Sequence, residues 1–121
     1  MSPLEYRRLL NLAHWENKPA GAVMANEDKM LPQLMLLYSG TVQVEKKGRI
    51  IAVLKSGDFV GEMSFVSVNV ASATVTATEQ TRLLCWDKNQ LKKFLDNDPS
   101  LKMSLESTLS CNMAKKLKRH A

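Results

Sequence analysis

Short runs of alternating apolar and polar residues fill the middle of the chain. In Thr41–Glu45 two valines alternate with polar residues, and from Ala71 to Thr78 small apolar residues alternate with Ser72 and three threonines. A period of two predicts strands with one buried and one exposed face. The predicted strands are Ala22–Met24, Gln33–Tyr38, Thr41–Glu45, Arg49–Leu54, Ala71–Thr78 and Thr81–Trp86. Short strands at regular spacing, separated by turn residues, favour a sandwich or barrel.

Helical patterns flank these strands. Ser2-Pro3-Leu4-Glu5 is a capping box with proline at the first helical position, which predicts a helix to about His14. We expect this helix to bury Leu4, Leu9, Leu10, Leu12 and Ala13. Asp87 is a good N-cap for a helix over Lys88–Leu95, and Asp98-Pro99 starts a last helix. Its apolar stripe predicts either a dimer seam or packing on its own chain; the stripe consists of Leu101, Leu105, Leu109, Met113 and Leu117.

Composition indicates one domain over residues 1–121. The length suffices for one core, and 45% hydrophobic with 24% charged residues is ordinary for a globular protein. The apolar runs are too short to span a bilayer, and the start lacks the pattern of a signal peptide, so we expect a cytoplasmic location.

The net charge of +5 arises near the end of the chain, at Lys115, Lys116, Lys118 and Arg119. These cations either complement the carboxyl end of a helix or contact an anionic lipid surface or an acidic partner. No aromatic residues are interleaved with them, so we expect no nucleic-acid partner.

Little in the sequence indicates reaction chemistry. Cys85 and Cys111 fall in a strand pattern and a helix pattern, which favours core or helix-face thiols over a disulfide. His14 and His120 are isolated at opposite ends, so no metal site is predicted. No nucleophile–base pairing or paired carboxylates point to a catalytic centre, and we expect no enzyme activity.

The most specific pattern lies in two segments, 57–65 and 71–77. They read Gly57-Asp58-Phe59-Val60-Gly61-Glu62-Met63-Ser64-Phe65 and Ala71-Ser72-Ala73-Thr74-Val75-Thr76-Ala77. This pattern resembles the phosphate-binding cassette of cyclic-nucleotide-binding domains, the sensor modules of Crp-like regulators, cyclic-AMP-dependent kinases and gated channels. The flanking runs Leu37–Val44 and Gly48–Leu54 extend the resemblance to roughly residues 4–118. It implies a mainly β fold, a β-roll or double-stranded β-helix jelly roll of about eight strands, with one helix before it and two after it.

The resemblance implies a ligand-binding role for eight residues. Gly61 would let the backbone approach a ligand, and the amides of Glu62, Met63 and Ser64 would hold an anion at the start of a short helix. Glu62 would accept a hydrogen bond from a sugar hydroxyl. The rest of the expected set is Ala71, Ser72, Ala73 and Thr74. In the alternative interpretation, Gly61 is only a turn glycine and Glu62 is a solvated carboxylate.

Ala71 departs from the family pattern, in which an Arg stands two residues before the Ala-Thr-Val strand. A charge-assisted bond from Arg to phosphate contributes about 1.5–3 kcal/mol. A buried phosphate without its countercharge can cost about 3–5 kcal/mol. We therefore expect cyclic AMP or cyclic GMP to bind about ten- to a few-thousand-fold more weakly here than in a member that has the Arg.

The ending of the chain resembles the Popeye-domain relatives. Leu83-Leu84-Cys85-Trp86, then Lys92-Lys93-Phe94-Leu95 and Asp98-Pro99, are similar to that group, whose members are membrane proteins with a cytoplasmic variant of this module. Bacterial membrane proteins with a Popeye-like soluble part are similar as well. This implies the cytoplasmic part of a longer membrane protein, and the capping box near residue 1 suggests a boundary just before the first helix.

Three classes of function follow from the sequence. The favoured one is a regulatory sensor that binds a cyclic nucleotide or a related anion weakly. The second is a ligand-free member of the same fold that serves as a protein-interaction module, such as a homodimer formed through the last helix. The third, an enzyme, is the least supported.

Overall fold

Two β-sheets and the helices that flank them make up the fold. The computed structural model describes residues 2–62, 65 and 70–120, with residues 112–120 described by their backbone alone. Within these residues the elements are α1 (Pro3–Leu12), β1 (His14–Lys18), β2 (Val23–Ala25), β3 (Gln33–Ser39), β4 (Val42–Lys46), β5 (Arg49–Leu54), β6 (Phe59–Val60), β7 (Thr74–Ala77), β8 (Thr81–Asp87), α2 (Lys88–Asp96) and α3 (Pro99–His120).

The strands form two four-stranded sheets, ordered β1-β8-β3-β6 and β2-β7-β4-β5. Every pairing between these strands is antiparallel. With one helix before the sheets and two after them, this is the β-roll that the sequence predicts, and the fold prediction is confirmed.

The core between the sheets uses the residues that the alternation marks as buried. On β4, Val42 and Val44 are buried while Gln43 and Glu45 between them are half-buried. On β8, Leu83 and Cys85 belong to this inner cluster. Successive side chains of a strand point to opposite faces, so the intervening residues of β8 face the other way.

The helices cover that other face of the first sheet. Leu84 and Trp86 of β8 pack in a second cluster with residues from all three helices. Trp86 Nε1 donates a hydrogen bond of 2.8 Å to the carbonyl oxygen of Leu9, which ties α1 to the sheet. None of the described helices is long and apolar enough to cross a membrane.

The apolar stripe of α3 packs within the chain along its first half. Leu101, Leu105 and Leu109 are at most 1% exposed and belong to the helix-covered cluster. Packing on the same chain is therefore the correct alternative for these three leucines. The side chains of Met113 and Leu117 lie outside the described residues.

The first helix differs from its prediction. It ends at Leu12, because Ala13 is extended and His14 already pairs with Cys85 in the sheet. The predicted capping box is present: Ser2 N donates to Glu5 Oε1 over 2.9 Å. Only Leu9 of the helix is buried, and the predicted burial of Leu4 and Leu10 is wrong, since they are 56% and 50% exposed. The helix rests on the core along one narrow face, and these two leucines lie off it.

Candidate functional site

Gly61 marks the point at which the chain leaves β6 and begins a helical turn. Its φ of +93° lies in the left-handed region that favours glycine. A Cβ built there would lie 2.7 Å from Leu31 Cδ2 and 3.1 Å from the carbonyl oxygen of Gln33. Phe65 N donates to the Gly61 carbonyl oxygen over 3.0 Å, the helical spacing that the sequence predicts after this glycine. The conformation of residue 61 therefore favours glycine, and a Cβ there would require the Leu31 side chain to shift.

Glu62 begins this turn and is only 2% exposed. The alternative interpretation of Glu62 as a solvated carboxylate is therefore wrong. Carboxylates are rarely this buried in proteins, because burial disfavours the charged form. Met63 and Ser64, the other predicted anion-binding residues of the turn, lie outside the described residues.

Ala71 lies on the other side of the candidate site and is 3% exposed. Its amide donates to the Lys29 carbonyl oxygen over 2.9 Å, and its carbonyl accepts from the Asp28 amide over 2.9 Å. These bonds join residue 71 to the connection between β2 and β3. They also explain why β7 begins at Thr74 and not at Ala71, since residues 70 and 71 bridge to this connection.

The three residues after Ala71 have different environments. Ser72 is exposed, and Ala73 is 6% exposed within the inner core. Thr74 is half-buried, and its Oγ1 accepts a hydrogen bond of 3.0 Å from the Glu27 amide. Thr74 therefore holds the same β2–β3 connection as Ala71 does, a role that the sequence does not predict.

The segment Glu27–Leu31 joins the two halves of the candidate site. Leu31 is the nearest neighbour of a Cβ built at Gly61, and Asp28 and Lys29 are bonded to Ala71. Leu31 and Ala71 also belong to the same inner core cluster. The sequence does not predict the role of this segment, because its bonds to Ala71 and Thr74 span more than 40 residues of sequence and follow no residue pattern.

The charges around Ala71 differ from those of a strongly anion-binding pocket. The connection carries Glu27, Asp28 and Lys29, two acidic residues and one basic residue. Glu27 Oε1 accepts from the Lys47 amide over 2.9 Å, so this carboxylate is directed to the turn after β4. Residue 71 itself offers only a buried methyl group, which cannot neutralise an anion.

Phe65 connects the turn after Gly61 to the helices. It is 9% exposed and belongs to the helix-covered cluster, together with Leu91 and Leu95 of α2. Lys92 Nζ lies 5.7 Å from the centre of the Phe65 ring, within the range of a cation–π contact. The ring borders a cleft whose lining residues are Phe65, Lys92, Leu95, Asp96, Lys102 and Glu106. A displacement of Phe65 would therefore alter the packing of the cluster that α2 and α3 share.

The comparison with protein families agrees with this architecture. The family model of the cyclic nucleotide-binding domain matches residues 15–98, which span β1 through α2 and include both halves of the candidate site. The chain belongs to the cyclic nucleotide-binding domain family.

Known relatives include regulatory proteins. The chain is 29% identical over 79 residues to the cAMP-dependent protein kinase regulatory subunit of Schizosaccharomyces pombe, covering 64% of this chain and 19% of that protein. It is 28% identical over 88 residues to Popeye domain-containing protein 1 of Rattus norvegicus, covering 67% of this chain and 25% of that protein. The predicted similarity to Popeye-domain proteins is confirmed. The chain spans about a fifth to a quarter of the length of these relatives.

Solved structures share the fold. A putative cyclic nucleotide-binding protein from Geobacter metallireducens superimposes with a TM-score of 0.86, covering 97% of this chain and 88% of that one, at 18% identity. At this identity the likeness establishes the fold and leaves the ligand open.

Proposed function

We propose that this chain is a regulatory sensor domain that binds a cyclic nucleotide, or a related anionic small molecule, with low affinity. The observation that carries the proposal is the arrangement of Glu62 and Ala71. Glu62 is a buried carboxylate that follows Gly61, and Gly61 lies against Leu31. Ala71 places a buried methyl group at the family's arginine position and is bonded to Asp28 and Lys29 of the same Glu27–Leu31 segment.

Glu62 would accept a hydrogen bond from a sugar hydroxyl of the ligand. Its burial supports this role, because a hydrogen bond to a charged group contributes about 1.5–3 kcal/mol. The helical turn that follows Gly61 would direct backbone amides at the ligand's phosphate, as helix starts generally do for anions. These contacts supply binding without any positive side chain at residue 71.

The low affinity would follow from the missing guanidinium. The lost charge-assisted bond sets the lower bound of the weakening, about tenfold, and the cost of an unneutralised buried phosphate sets the upper bound, about a few thousandfold, relative to a member with the Arg. The acidic residues Glu27 and Asp28, close to Ala71 along the connection, would not compensate for that loss.

The sensor's response would pass through Phe65. A ligand bound at the turn after Gly61 would change the packing of Phe65 against α2, and α3 packs in the same cluster. Such a ligand can shift the equilibrium between two arrangements of the helices only by as much as its affinities for the two arrangements differ. A weakly bound ligand would therefore act at concentrations near its dissociation constant.

The second candidate function is a ligand-free interaction module on the same fold. The uncharged, buried Ala71 favours it, because the site then lacks its main means of holding a phosphate. In that case the fold would serve to present a surface or to form a homodimer, and no nucleotide would bind at any concentration.

Calorimetric titration of the pure protein with cyclic AMP and with cyclic GMP separates these two functions. Linear AMP is the control, because it lacks the cyclic phosphate but keeps the base and the sugar. Saturable binding of a cyclic nucleotide, tighter than that of AMP, supports the sensor. Absence of heat at millimolar ligand supports the interaction module.

We also propose that the sensor's output lies in a longer chain or in a partner. The relatives in which this domain is found are several times its length. The similarity to a Popeye-domain protein favours a domain on the cytoplasmic side of a membrane protein. The alternative is a stand-alone protein that forms a homodimer. Determining the full-length gene product and searching it for a hydrophobic segment upstream of Ser2 tests the membrane version.

A further inference from the structure

Three side chains with metal-binding atoms meet at the edge of the first sheet, away from Gly61 and Ala71. His14 and Glu16 are two residues apart on β1, and β1 pairs with β8 so that His14 stands opposite Cys85. Residues i and i+2 of a strand share a face, and a directly opposite residue shares it too. His14, Glu16 and Cys85 are therefore neighbours, and we call them the edge cluster.

The atoms of the edge cluster are close enough to share an ion. One ligand atom from each side chain, the imidazole nitrogen, a carboxylate oxygen and the thiol sulfur, lies within 4.8 Å of the other two. His14 Nε2 is 2.7 Å from Glu16 Oε2. In a tetrahedral zinc site, bond lengths of 2.0–2.3 Å separate neighbouring ligand atoms by about 3.3–3.5 Å. Side-chain adjustments of about an ångström would reach that geometry.

We propose that His14, Glu16 and Cys85 form a binding site for a divalent transition metal of the zinc class. Imidazole, carboxylate and thiolate together are a donor set that suits Zn²⁺, and three protein ligands leave a fourth position for water. The ionised carboxylate and thiolate would balance the two charges of the ion. This proposal is independent of the nucleotide site.

The surroundings of Glu16 prepare it for this role. Gln33 Nε2 donates to Glu16 Oε2 over 2.9 Å, and Lys18 Nζ lies 3.2 Å from Glu16 Oε1. Lys18 thus contacts one carboxylate oxygen, while Gln33 and His14 both contact the other. Burial alone would raise the pKa of Glu16, but the bonds from Gln33, His14 and Lys18 outweigh it and lower the pKa to about 2. The carboxylate is therefore ionised at neutral pH.

Access to the edge cluster is asymmetric. Cys85 is fully buried, whereas the side chains of His14 and Glu16 are 51% and 24% exposed. Solvent therefore reaches His14 and Glu16, while Cys85 packs in the inner core cluster. Burial, followed by the charge of Glu16 and a hydrogen bond with its carboxylate, raises the pKa of the Cys85 thiol to about 12, so the thiol keeps its proton until a metal binds. Coordination to a divalent ion removes that proton.

Cobalt titration tests the proposal, because Co²⁺ occupies zinc sites and gives a thiolate-to-metal charge-transfer band in the near ultraviolet. Protein freed of metal with EDTA should develop this band, saturate at one ion per chain and lose the band when Zn²⁺ is added. Cys85→Ser should abolish the band. His14→Gln changes a side chain that is 51% exposed and should weaken cobalt binding by more than about tenfold, since even partners of metal ligands matter by that much.

Cys111→Ser is the matched control, because Cys111 is the other free cysteine of the described residues and is exposed on α3. This variant should keep the band unchanged. A wild-type protein with no charge-transfer band overturns the proposal. So does a band that survives in His14→Gln at unchanged affinity, or one that disappears in Cys111→Ser. Circular dichroism of Cys85→Ser distinguishes lost binding from lost folding. If Cys85→Ser does not fold, the cobalt affinity of His14→Gln still tests the site.

Discussion

The amide of Ala71 donates a hydrogen bond of 2.9 Å to the carbonyl oxygen of Lys29. This bond fixes residue 71 against the β2–β3 connection, the same segment that supplies Leu31 to the surroundings of Gly61. The two halves of the candidate site therefore share a common support. The side chain at residue 71 within this support is a buried methyl group.

Replacing Glu62 with Ala should weaken cyclic-nucleotide binding by about 1.5–3 kcal/mol, roughly ten- to a hundredfold in dissociation constant. The reason is the lost charged acceptor for a sugar hydroxyl. Calorimetric titration measures the change. The matched control is Glu79→Ala, at an exposed position in the turn between β7 and β8, which should leave binding unaltered. An equal dissociation constant in Glu62→Ala and the wild type would place the ligand elsewhere.

Gly61→Ala should destabilise the fold more than Gly57→Ala does. The two glycines have nearly equal φ angles of +93° and +94°, so the conformational cost of Ala is similar, about 1–2 kcal/mol. A Cβ at residue 57 meets nothing within 4 Å, whereas one at residue 61 meets Leu31 at 2.7 Å. Overpacking adds about 1–3 kcal/mol at residue 61 only. Urea unfolding of the two variants measures the difference.

Equal losses in the two glycine variants would contradict the close contact between Gly61 and Leu31. The result would mean that Leu31 moves aside freely, and the two halves of the site would then be less firmly joined than the structure indicates.

Leu105→Ala should lower the free energy of unfolding by about 2–5 kcal/mol, because Leu105 is 1% exposed within the helix-covered cluster. Met103→Ala on the same helix is the control; Met103 is 75% exposed, so a change of at most about 0.5 kcal/mol is expected. Denaturation at two protein concentrations completes the measurement. A dimer seam at Leu105 would instead make the loss depend on concentration.

Much of the fold follows from the sequence for local reasons. Alternation in Thr41–Glu45 and the capping box at Ser2 depend on neighbours a few residues away, and both are present in the structure. The two-residue strand β6 is missed, because Phe59 and Val60 are too few to show a period. The burial of α1 is mispredicted for Leu4 and Leu10, since a helix pattern does not say how wide a face the core will cover.

The candidate site is predictable only where its residues follow a pattern. Gly61 and Glu62 lie where the sequence places them, at the start of a turn, and their ligand contacts stay a prediction. The Glu27–Leu31 segment and the edge cluster escape sequence analysis for one physical reason. Both depend on pairing between distant segments, such as His14 with Cys85, and strand register is set by the whole sheet.

The measurement that tests the central claim most directly compares cyclic-AMP affinity in the wild type, Ala71→Arg and Ala71→Gln. The account predicts weak binding by the wild type and a gain of about 1.5–3 kcal/mol in Ala71→Arg, because the guanidinium restores a charged bond to the phosphate. Ala71→Gln, which is long and polar but uncharged, should gain much less. Ser72→Arg places the same charge one residue away and is the second control. An Ala71→Arg variant that folds normally yet binds cyclic AMP no better than the wild type would contradict the account.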